Sequence, residues 1–296
     1  MSKVLIVGAS GFLGTKLNSS LSKGHEVIGT YDRHEKSGLI HLNASDKDEV
    51  ARVISEVRPD IVIHSAGSPD LDYCEQHPDE TENVHHQSVK NLVEACRSIG
   101  ARVIYISSTY VFGGDKAPYK ETDPVSPINE YGKAKARAEQ DVLGLPKSSV
   151  IRFDFLYGYN GPDLPNGLTE KILGGQRIEA TDKQTRKPLL VDDVAKAIDR
   201  IIETNGSGVY HLAGPDNITK YELCMRLAKT LDTQGDIYPI ESKVQVARRA
   251  IDTSLTTERL QELSIVCTPV DEALKLIGQQ FRSDNKESGR KETDVQ

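Results

Sequence analysis

The stretch Val4-Leu5-Ile6-Val7-Gly8-Ala9-Ser10-Gly11-Phe12-Leu13-Gly14 decides the fold. Its four consecutive apolar residues predict a strand that is covered on both faces. The glycines that follow permit a tight turn into a helix and let the backbone approach a pyrophosphate closely. An anion at that turn would meet backbone N–H groups and the positive end of the helix dipole. The stretch therefore predicts the start of a dinucleotide-binding fold.

The rest of the first half repeats this alternation of strand and helix. Short, β-branched apolar segments predict strands at residues 4–7, 27–30, 61–64, 103–107 and 150–153. Apolar residues at helical spacing predict helices at 13–21, 47–57, 89–99 and 131–143. The pattern predicts an α/β fold, a Rossmann-type doubly wound parallel sheet.

Three regions follow from this pattern. Residues 1–156 form the predicted NAD(P)-binding Rossmann domain, and residues 157–281 form a smaller C-terminal α/β substrate-binding region. Within the second region a strand at 209–212 is expected, and the chain returns to the Rossmann core. Residues 282–296 are charged and lack aromatic residues, which predicts a disordered tail.

Composition excludes several classes of protein. The net charge of −7 argues against nucleic-acid binding, which requires a basic face. No apolar run approaches the roughly 20 residues of a membrane helix, and no signal-peptide layout opens the chain. The four cysteines lack CxxC spacing, so we expect reduced thiols and no metal site. These features predict a cytoplasmic protein with neither nucleic-acid nor membrane partners.

The end of the second strand bears on the choice of cofactor. A carboxylate at Asp32 would bond the adenosine ribose hydroxyls and repel a 2′-phosphate, which favours NADH. The neighbouring Arg33 could instead bind the 2′-phosphate, which favours NADPH. The sequence therefore predicts NADPH or NADH.

The segment Tyr131-Gly132-Lys133-Ala134-Lys135 predicts the proton-transfer chemistry. Tyr131 and Lys135 lie four residues apart on a predicted helix and share a face. A nearby ammonium would lower the pKa of the phenol from about 10. Ser108 ends the fourth predicted strand, where its hydroxyl could polarise a carbonyl, whereas the adjacent Ser107 could point to the other face. We therefore predict that Ser108 and Tyr131 hold a substrate oxygen, that Tyr131 donates a proton, and that Lys135 supports Tyr131.

The glycine spacing GxxGxxG resembles that of the short-chain dehydrogenase/reductase family, and residues 62–67 resemble its extended branch. The resemblance implies cofactor contacts along the pyrophosphate, the adenine and the nicotinamide-side ribose. Together with the glycine turn and the second strand end, the predicted cofactor-binding residues are Gly8, Gly11, Phe12, Leu13, Gly14, Asp32, Arg33, Asn43, Ala44, Ala66, Gly67, Ser68, Tyr131 and Lys135.

Residues 105–114 and Tyr131-Gly132-Lys133 resemble the dTDP-4-dehydrorhamnose reductase branch of that family. This resemblance implies a nucleotide-sugar substrate that contacts Ser108, Thr109 and Phe155, and a homodimer. Phe155 could equally be a core residue. The reductases carry Asp where Thr109 stands and Asn where His85 stands, which leaves the exact sugar nucleotide open.

Three functions remain open from the sequence. The first is NAD(P)H-dependent reduction of a nucleotide-activated 4-keto-6-deoxysugar, and the second is epimerisation of a nucleotide sugar. The third is a non-catalytic, dinucleotide-binding regulatory subunit, because the same segments are equally similar to the β-subunit of methionine adenosyltransferase. His85 and His86 are not predicted to bind a metal, since adjacent helical side chains point about 100° apart.

Overall fold

The computed structural model describes residues 1–67, 70–161, 167–241 and 245–293, with side chains through Lys286. Its chain forms two compact units. The first unit contains Met1–Asp154, Val194–Ala213 and Val244–Val266, and the second contains Phe155–Asp193, Gly214–Lys243 and Cys267–Gln296. Within the described residues, no helix combines the length and the apolar character that crossing a membrane requires.

The described residues form strands and helices that alternate along much of the chain. The strands are β1 (Lys3–Val7), β2 (Glu26–Tyr31), β3 (Ile40–His41), β4 (Ile61–His64), β5 (Arg102–Ile106), β6 (Ser149–Arg152), β7 (Leu156–Tyr157), β8 (Arg177–Thr181), β9 (Thr185–Arg186), β10 (Leu189–Leu190), β11 (Gly208–His211), β12 (Ile218–Thr219) and β13 (Asp236–Ile240). The helices are α1 (Phe12–Leu21), α2 (Lys47–Val57), α3 (Leu71–Gln76), α4 (Pro78–Glu82), α5 (Ser88–Ile99), α6 (Glu130–Leu143), α7 (Leu168–Leu173), α8 (Val191–Glu203), α9 (Lys220–Thr230), α10 (Glu258–Glu262) and α11 (Val270–Thr293).

The first unit is built on a seven-stranded sheet of order β11-β6-β5-β4-β1-β2-β3. Every pairing in it is parallel. The chain runs outward from β1 to β3 and then crosses to β4 on the other side of β1. This reversal creates a crevice at the carboxyl ends of β1 and β4, where doubly wound sheets bind their ligands. The predicted Rossmann-type fold is confirmed.

Burial explains why these segments become strands and helices. The four apolar residues of β1, Val4 to Val7, are at most 1% exposed, as expected for a strand covered on both faces. Helix α2 buries Val50, Val53 and Ile54 in an apolar cluster that also contains Leu5 and Val7 of β1. The two-residue strand β3 was not predicted, because both of its residues are exposed and carry no apolar pattern.

The second unit has its own apolar core, in which Tyr157, Ile172 and Leu227 are fully buried. Among its described residues, the β-structure forms three two-stranded pairs: β7 with β10, β9 with β12, and β8 with β13. Helix α11 continues to Thr293, so residues 282–293 are helical where the sequence predicted a disordered tail. The prediction rested on low apolar content, but this segment contains no proline and several good helix formers.

A buried ion pair joins α6 to β6 behind the carboxyl end of β5. Glu139 accepts hydrogen bonds from Arg152 Nε at 2.9 Å and Nη2 at 2.6 Å, and the two side chains are 3% and 4% exposed. The same carboxylate accepts from Ser107 Oγ at 2.5 Å. Burial and the charge of Arg152 lower the pKa of His211 to about 3. The neutral His211 ring therefore accepts from Arg152 Nη1, at 3.3 Å.

We expect Glu139→Gln to destabilise the protein by about 3–5 kcal/mol, because it leaves the Arg152 charge buried without a counter-charge. Urea unfolding followed by circular dichroism measures the change. Glu56→Gln is the matched control, since Glu56 pairs with Arg52 at 3.1 Å and both side chains are more than half exposed. The control should lie within about 0.5 kcal/mol of the original protein. Equal losses in the two variants would contradict a structural role for the buried pair.

Candidate functional site

The glycine turn is a tight cradle between β1 and α1. A Cβ on Gly14 would lie 2.1 Å from the Gly8 carbonyl oxygen, so only glycine lets the helix start pack on the turn. A Cβ on Gly8 would lie 2.8 Å from the backbone nitrogen of Ala66. The turn and the loop after β4 are therefore in direct backbone contact, which brings two of the predicted cofactor segments together.

The start of α1 suits an anion. Gly11 is its N-cap and is exposed, and Phe12 and Leu13 follow in the first turn. No side chain caps this helix start, and its first turn carries no acidic residue. The first turn of α1 thus adds no negative charge of its own to the positive end of the helix dipole, which fits the pyrophosphate of a dinucleotide.

The other adenosine-side candidates also follow strand ends. Asp32 and Arg33 come directly after β2, with Arg33 Nε 3.7 Å from Asp32 Oδ2, and their side chains are 51% and 74% exposed. Both groups are open to a ligand. Asn43 is exposed after β3, whereas Ala44 is buried and its carbonyl accepts from Asn91 Nδ2 at 3.2 Å.

The loop after β4 contains Ala66 and Gly67, and Ser68 lies outside the described residues. Gly67 has a φ of +118°, a backbone conformation that residues with a side chain rarely adopt. A Cβ at this position would also lie 2.7 Å from Cε1 of His85. The backbone of this loop therefore lies directly on a histidine ring.

The structure separates the two serines at the end of β5. Ser107 points into the ion pair of Glu139. Ser108 begins a 3-10 turn, Thr109–Val111, and its Oγ accepts from the backbone N–H of Tyr110 at 3.3 Å. The Ser108 side chain also lies close enough to the Tyr131 phenol to lower its pKa. Of the two, Ser108 is the hydroxyl that meets the phenol.

A close approach of helix α6 to the 3-10 turn places Tyr131. Asn129 caps the helix by accepting from the backbone N–H of Gly132 at 2.8 Å. A Cβ on Gly132 would lie 2.1 Å from the carbonyl oxygen of Tyr110, so glycine allows the first turn of α6 to pack against this segment. This contact brings Tyr131 beside Ser108.

Lys135 lies one turn further along α6 and is buried. Its Nζ donates to the carbonyl oxygen of Ile106 at 2.9 Å and lies 4.7 Å from the ring centroid of Tyr105. Burial lowers the pKa of Lys135 to about 8, against the opposing attraction of Glu139. The ammonium is therefore close to titration near neutral pH.

The pKa of Tyr131 departs from the sequence-based prediction. Burial raises the pKa of Tyr131 well above its ordinary value, and the nearby Ser108 side chain only partly offsets this effect. Lys135 does not lower it, because its Nζ lies 5.6 Å from the centroid of the Tyr131 ring and bonds to a carbonyl instead. The phenol is thus a protonated donor in this structure, and its hydroxyl and that of Ser108 can together hold a carbonyl oxygen.

Two of the three predicted substrate residues, Thr109 and Phe155, belong to different units of the chain. Thr109 is 1% exposed in the first unit, where its hydroxyl is 3.2 Å from Thr253 Oγ1. Phe155 belongs to the second unit, where it is half-buried against the apolar cluster and lies 6.0 Å from Lys220 Nζ. The structure thus brings Ser108, Tyr131 and Lys135 together in the first unit.

Sequence reasoning did not place three residues beside Tyr131 and Lys135, although it noted His85 as a departure from the reductases. Glu139 lies four residues after Lys135, so helical spacing on α6 could have indicated it. His85 packs its ring against Tyr131, with centroids 4.9 Å apart. Cys74 Sγ lies 3.9 Å from His85 Nε2. No local pattern points to these last two, because they reach the site from helices distant in sequence.

Comparison with known proteins agrees with this geometry. The chain matches the RmlD substrate binding domain family over residues 2–283. The methionine adenosyltransferase 2 subunit beta of Bos taurus is 31% identical over 276 residues, which cover 89% of this chain and 83% of that protein. The structure of dTDP-4-dehydrorhamnose reductase from Bacillus anthracis in complex with NADP is 26% identical, with a TM-score of 0.82, covering 95% of this chain and 99% of that one.

A further solved structure, a hypothetical dTDP-4-dehydrorhamnose reductase from Sulfolobus tokodaii, is 30% identical with a TM-score of 0.77 and covers 91% of this chain and 98% of that one. The resemblance that the glycine turn and the Tyr131 segment indicated is therefore confirmed. Since the family match spans nearly the whole chain, this protein belongs to the RmlD substrate binding domain family, within the extended short-chain dehydrogenases/reductases.

Proposed function

We propose that this protein is an NAD(P)H-dependent reductase of a nucleotide-activated 4-keto-6-deoxysugar. One observation carries the proposal: the first turn of α6 packs on the segment that follows Ser108, which brings the Tyr131 phenol beside the Ser108 hydroxyl, one helical turn from the buried Lys135. Two hydroxyl donors that converge in this way can bind a carbonyl oxygen more tightly as it gains negative charge.

The residues divide the work as follows. A bound reduced nicotinamide would supply hydride to the carbonyl carbon of the sugar. Ser108 donates a hydrogen bond to the carbonyl oxygen, and Tyr131 gives its phenolic proton to that oxygen as the C–O double bond becomes a single bond. Lys135 would bond the ribose hydroxyls of the cofactor. The glycine turn would hold the pyrophosphate, and Asp32 and Arg33 the adenosine ribose.

The relatives support both the cofactor and the reaction class. The Bacillus anthracis protein is a dTDP-4-dehydrorhamnose reductase in complex with NADP, and it aligns with nearly all of this chain. Ser108, Tyr131 and Lys135 supply the groups that such a reaction requires. A nicotinamide dinucleotide and a nucleotide sugar are accordingly the ligands that we propose.

The bovine relative favours a second candidate function. A protein named methionine adenosyltransferase 2 subunit beta, 31% identical to this chain, suggests a regulatory subunit that binds a dinucleotide without turning over a sugar. The two functions differ in one measurable respect. A reductase oxidises NAD(P)H when a 4-keto sugar nucleotide is added, whereas a regulatory subunit binds the dinucleotide and changes the activity of a methionine adenosyltransferase.

Tyr131→Phe should lower the rate of NADPH oxidation with dTDP-4-dehydrorhamnose by at least about 100-fold, because it removes the proton donor. Its Kd for NADPH should stay within about threefold of the original, since the ring and its packing are kept. Absorbance at the reduced-nicotinamide band and fluorescence titration provide the two readouts. Tyr110→Phe is the matched control, because that ring lies 6.2 Å from Tyr131 and has no proposed proton to give.

A Tyr131→Phe variant that keeps its activity would exclude the phenol as proton donor. Complete inactivity of the unmodified protein with every 4-keto sugar nucleotide, combined with tight NADPH binding, would instead favour the regulatory function.

Cofactor preference should depend on the pair that follows β2. Arg33→Ala should weaken NADPH binding about tenfold and leave NADH binding nearly unchanged, because the guanidinium can bond only the 2′-phosphate. Asp32→Ala should do the reverse, tightening NADPH binding and weakening NADH binding. Calorimetric titration with both dinucleotides tests this, and identical shifts for NADH and NADPH in either variant would refute the assignment.

The titration of Lys135 predicts a pH dependence of cofactor affinity. Below a pH of about 8 this lysine is charged and can donate a charge-assisted hydrogen bond to the ribose, whereas above that pH it becomes neutral. The Kd for NADPH should therefore rise about tenfold between pH 7 and 9.5, the size of one such bond. Lys135→Met, which removes the titrating group, should bind more weakly and show a flat profile. A parallel rise in this variant would assign the pH dependence to another group.

A further inference from the structure

The chain forms a π-helical turn at Asn83–Gln87, between α4 and α5. Such turns insert one extra residue into a helix and are frequent at functional sites. The two adjacent histidines in this turn have different surroundings. His86 bonds Glu82 Oε1 at 2.5 Å and Asp141 Oδ2 at 2.9 Å, whereas His85 is 3% exposed and faces the interior.

The His85 ring is held on three sides. A Cβ on Gly67 would lie 2.7 Å from its Cε1 and 2.8 Å from its Nδ1, so this edge of the ring lies against the loop after β4. Its Nε2 is 3.9 Å from Cys74 Sγ. Its plane meets the Tyr131 ring at 79°, with centroids 4.9 Å apart. One imidazole therefore separates the segment with the ribose-binding candidates from the proton donor.

The Tyr131 ring is confined by these contacts. Tyr110 packs edge-on at 6.2 Å in addition to His85 at 4.9 Å, and Cys74 belongs to the same buried cluster as Tyr131. Edge-on aromatic contacts are directional, so they restrict the orientation of a ring as well as its position. Without the imidazole, the space between Gly67 and Tyr131 would be a cavity into which either group could move.

We propose that His85 is a positioning residue whose imidazole fixes the distance and orientation of Tyr131 relative to the Ala66–Gly67 loop. The inference rests on the proposed reductase function for its effect on turnover. The expected effect on NADPH binding does not depend on that function, because the His85 ring also supports the backbone of Gly67 at the proposed ribose site. A displacement of about 1 Å at a reacting group can cost on the order of 100-fold in rate.

The test compares His85→Ala with His86→Ala, which alters the same turn but contacts neither Tyr131 nor Gly67 in the described contacts. For each variant, kcat and KM for the 4-keto sugar nucleotide are measured at saturating NADPH. The Kd for NADPH and the urea midpoint of unfolding are measured alongside. His85→Gln, which keeps a planar polar end but no ring, replaces His85→Ala if that variant does not fold.

We expect His85→Ala to lower kcat about 30- to 100-fold with KM for the sugar nearly unchanged, and to raise the Kd for NADPH about tenfold. His86→Ala should lose comparable stability but change kcat and Kd by no more than about twofold. Equal losses of kcat in the two variants would reduce His85 to a general support of the turn and overturn the proposal, as would full activity in a folded His85→Ala.

The binding readout separates this proposal from the proposed function. If the unmodified protein reduces no 4-keto sugar nucleotide, the reductase function fails, yet a tenfold weaker Kd for NADPH confined to His85→Ala would still support the positioning role. If the protein is an active reductase and both Kd and kcat are insensitive to His85→Ala, only the positioning role fails.

Discussion

The carboxylate of Glu139 is the charge on which the arrangement at the end of β5 depends. It lies between two buried cations, bonding Arg152 directly and raising the pKa of Lys135 against the effect of burial. Glu139 also accepts a hydrogen bond from the Ser107 hydroxyl, so Ser108 is the serine that lies beside the Tyr131 phenol. With two cations and one carboxylate in this group, the balance is positive. A positive charge in a poorly hydrated site favours the approach of a phosphate-bearing ligand.

Burial governs the chemistry of the proposed proton donor more than the neighbouring lysine does. The sequence places a lysine one turn from Tyr131, but it cannot show how much water surrounds the phenol. In the folded chain the phenol is buried, so the neutral form is favoured. Reduction consumes a proton, and a phenol that holds its proton firmly until an oxyanion develops beside it suits that direction. The reverse reaction, oxidation of an alcohol, would instead need Tyr131 to start as a phenolate that can accept the proton.

The parts of the fold that are repetitive along the chain could be predicted from the sequence. The apolar runs of β1, β4 and β5 and the periodicity of α2 are local patterns, and the glycine turn is a local consequence of β1 meeting α1. What could not be predicted is set by contacts between distant residues. Glu139 and Ser107 are 32 residues apart, and His85 reaches Tyr131 through a π-helical turn that no residue pattern marks. The prediction of a disordered tail at residues 282–296 was wrong for a related reason. Helix-forming residues without an apolar face have the same composition as a solvated tail, so the sequence did not distinguish the two.

The position of β11 in the sheet affects the order in which the chain can fold. This strand pairs with β6, but it is made 59 residues later, since Arg152 is opposite His211. During synthesis at about 5–20 residues per second, β6 would remain an unpaired edge for roughly 3–12 s. Exposed edges invite pairing with other chains. The nascent protein therefore passes through an interval in which this edge of β6 is open to pairing with a foreign strand.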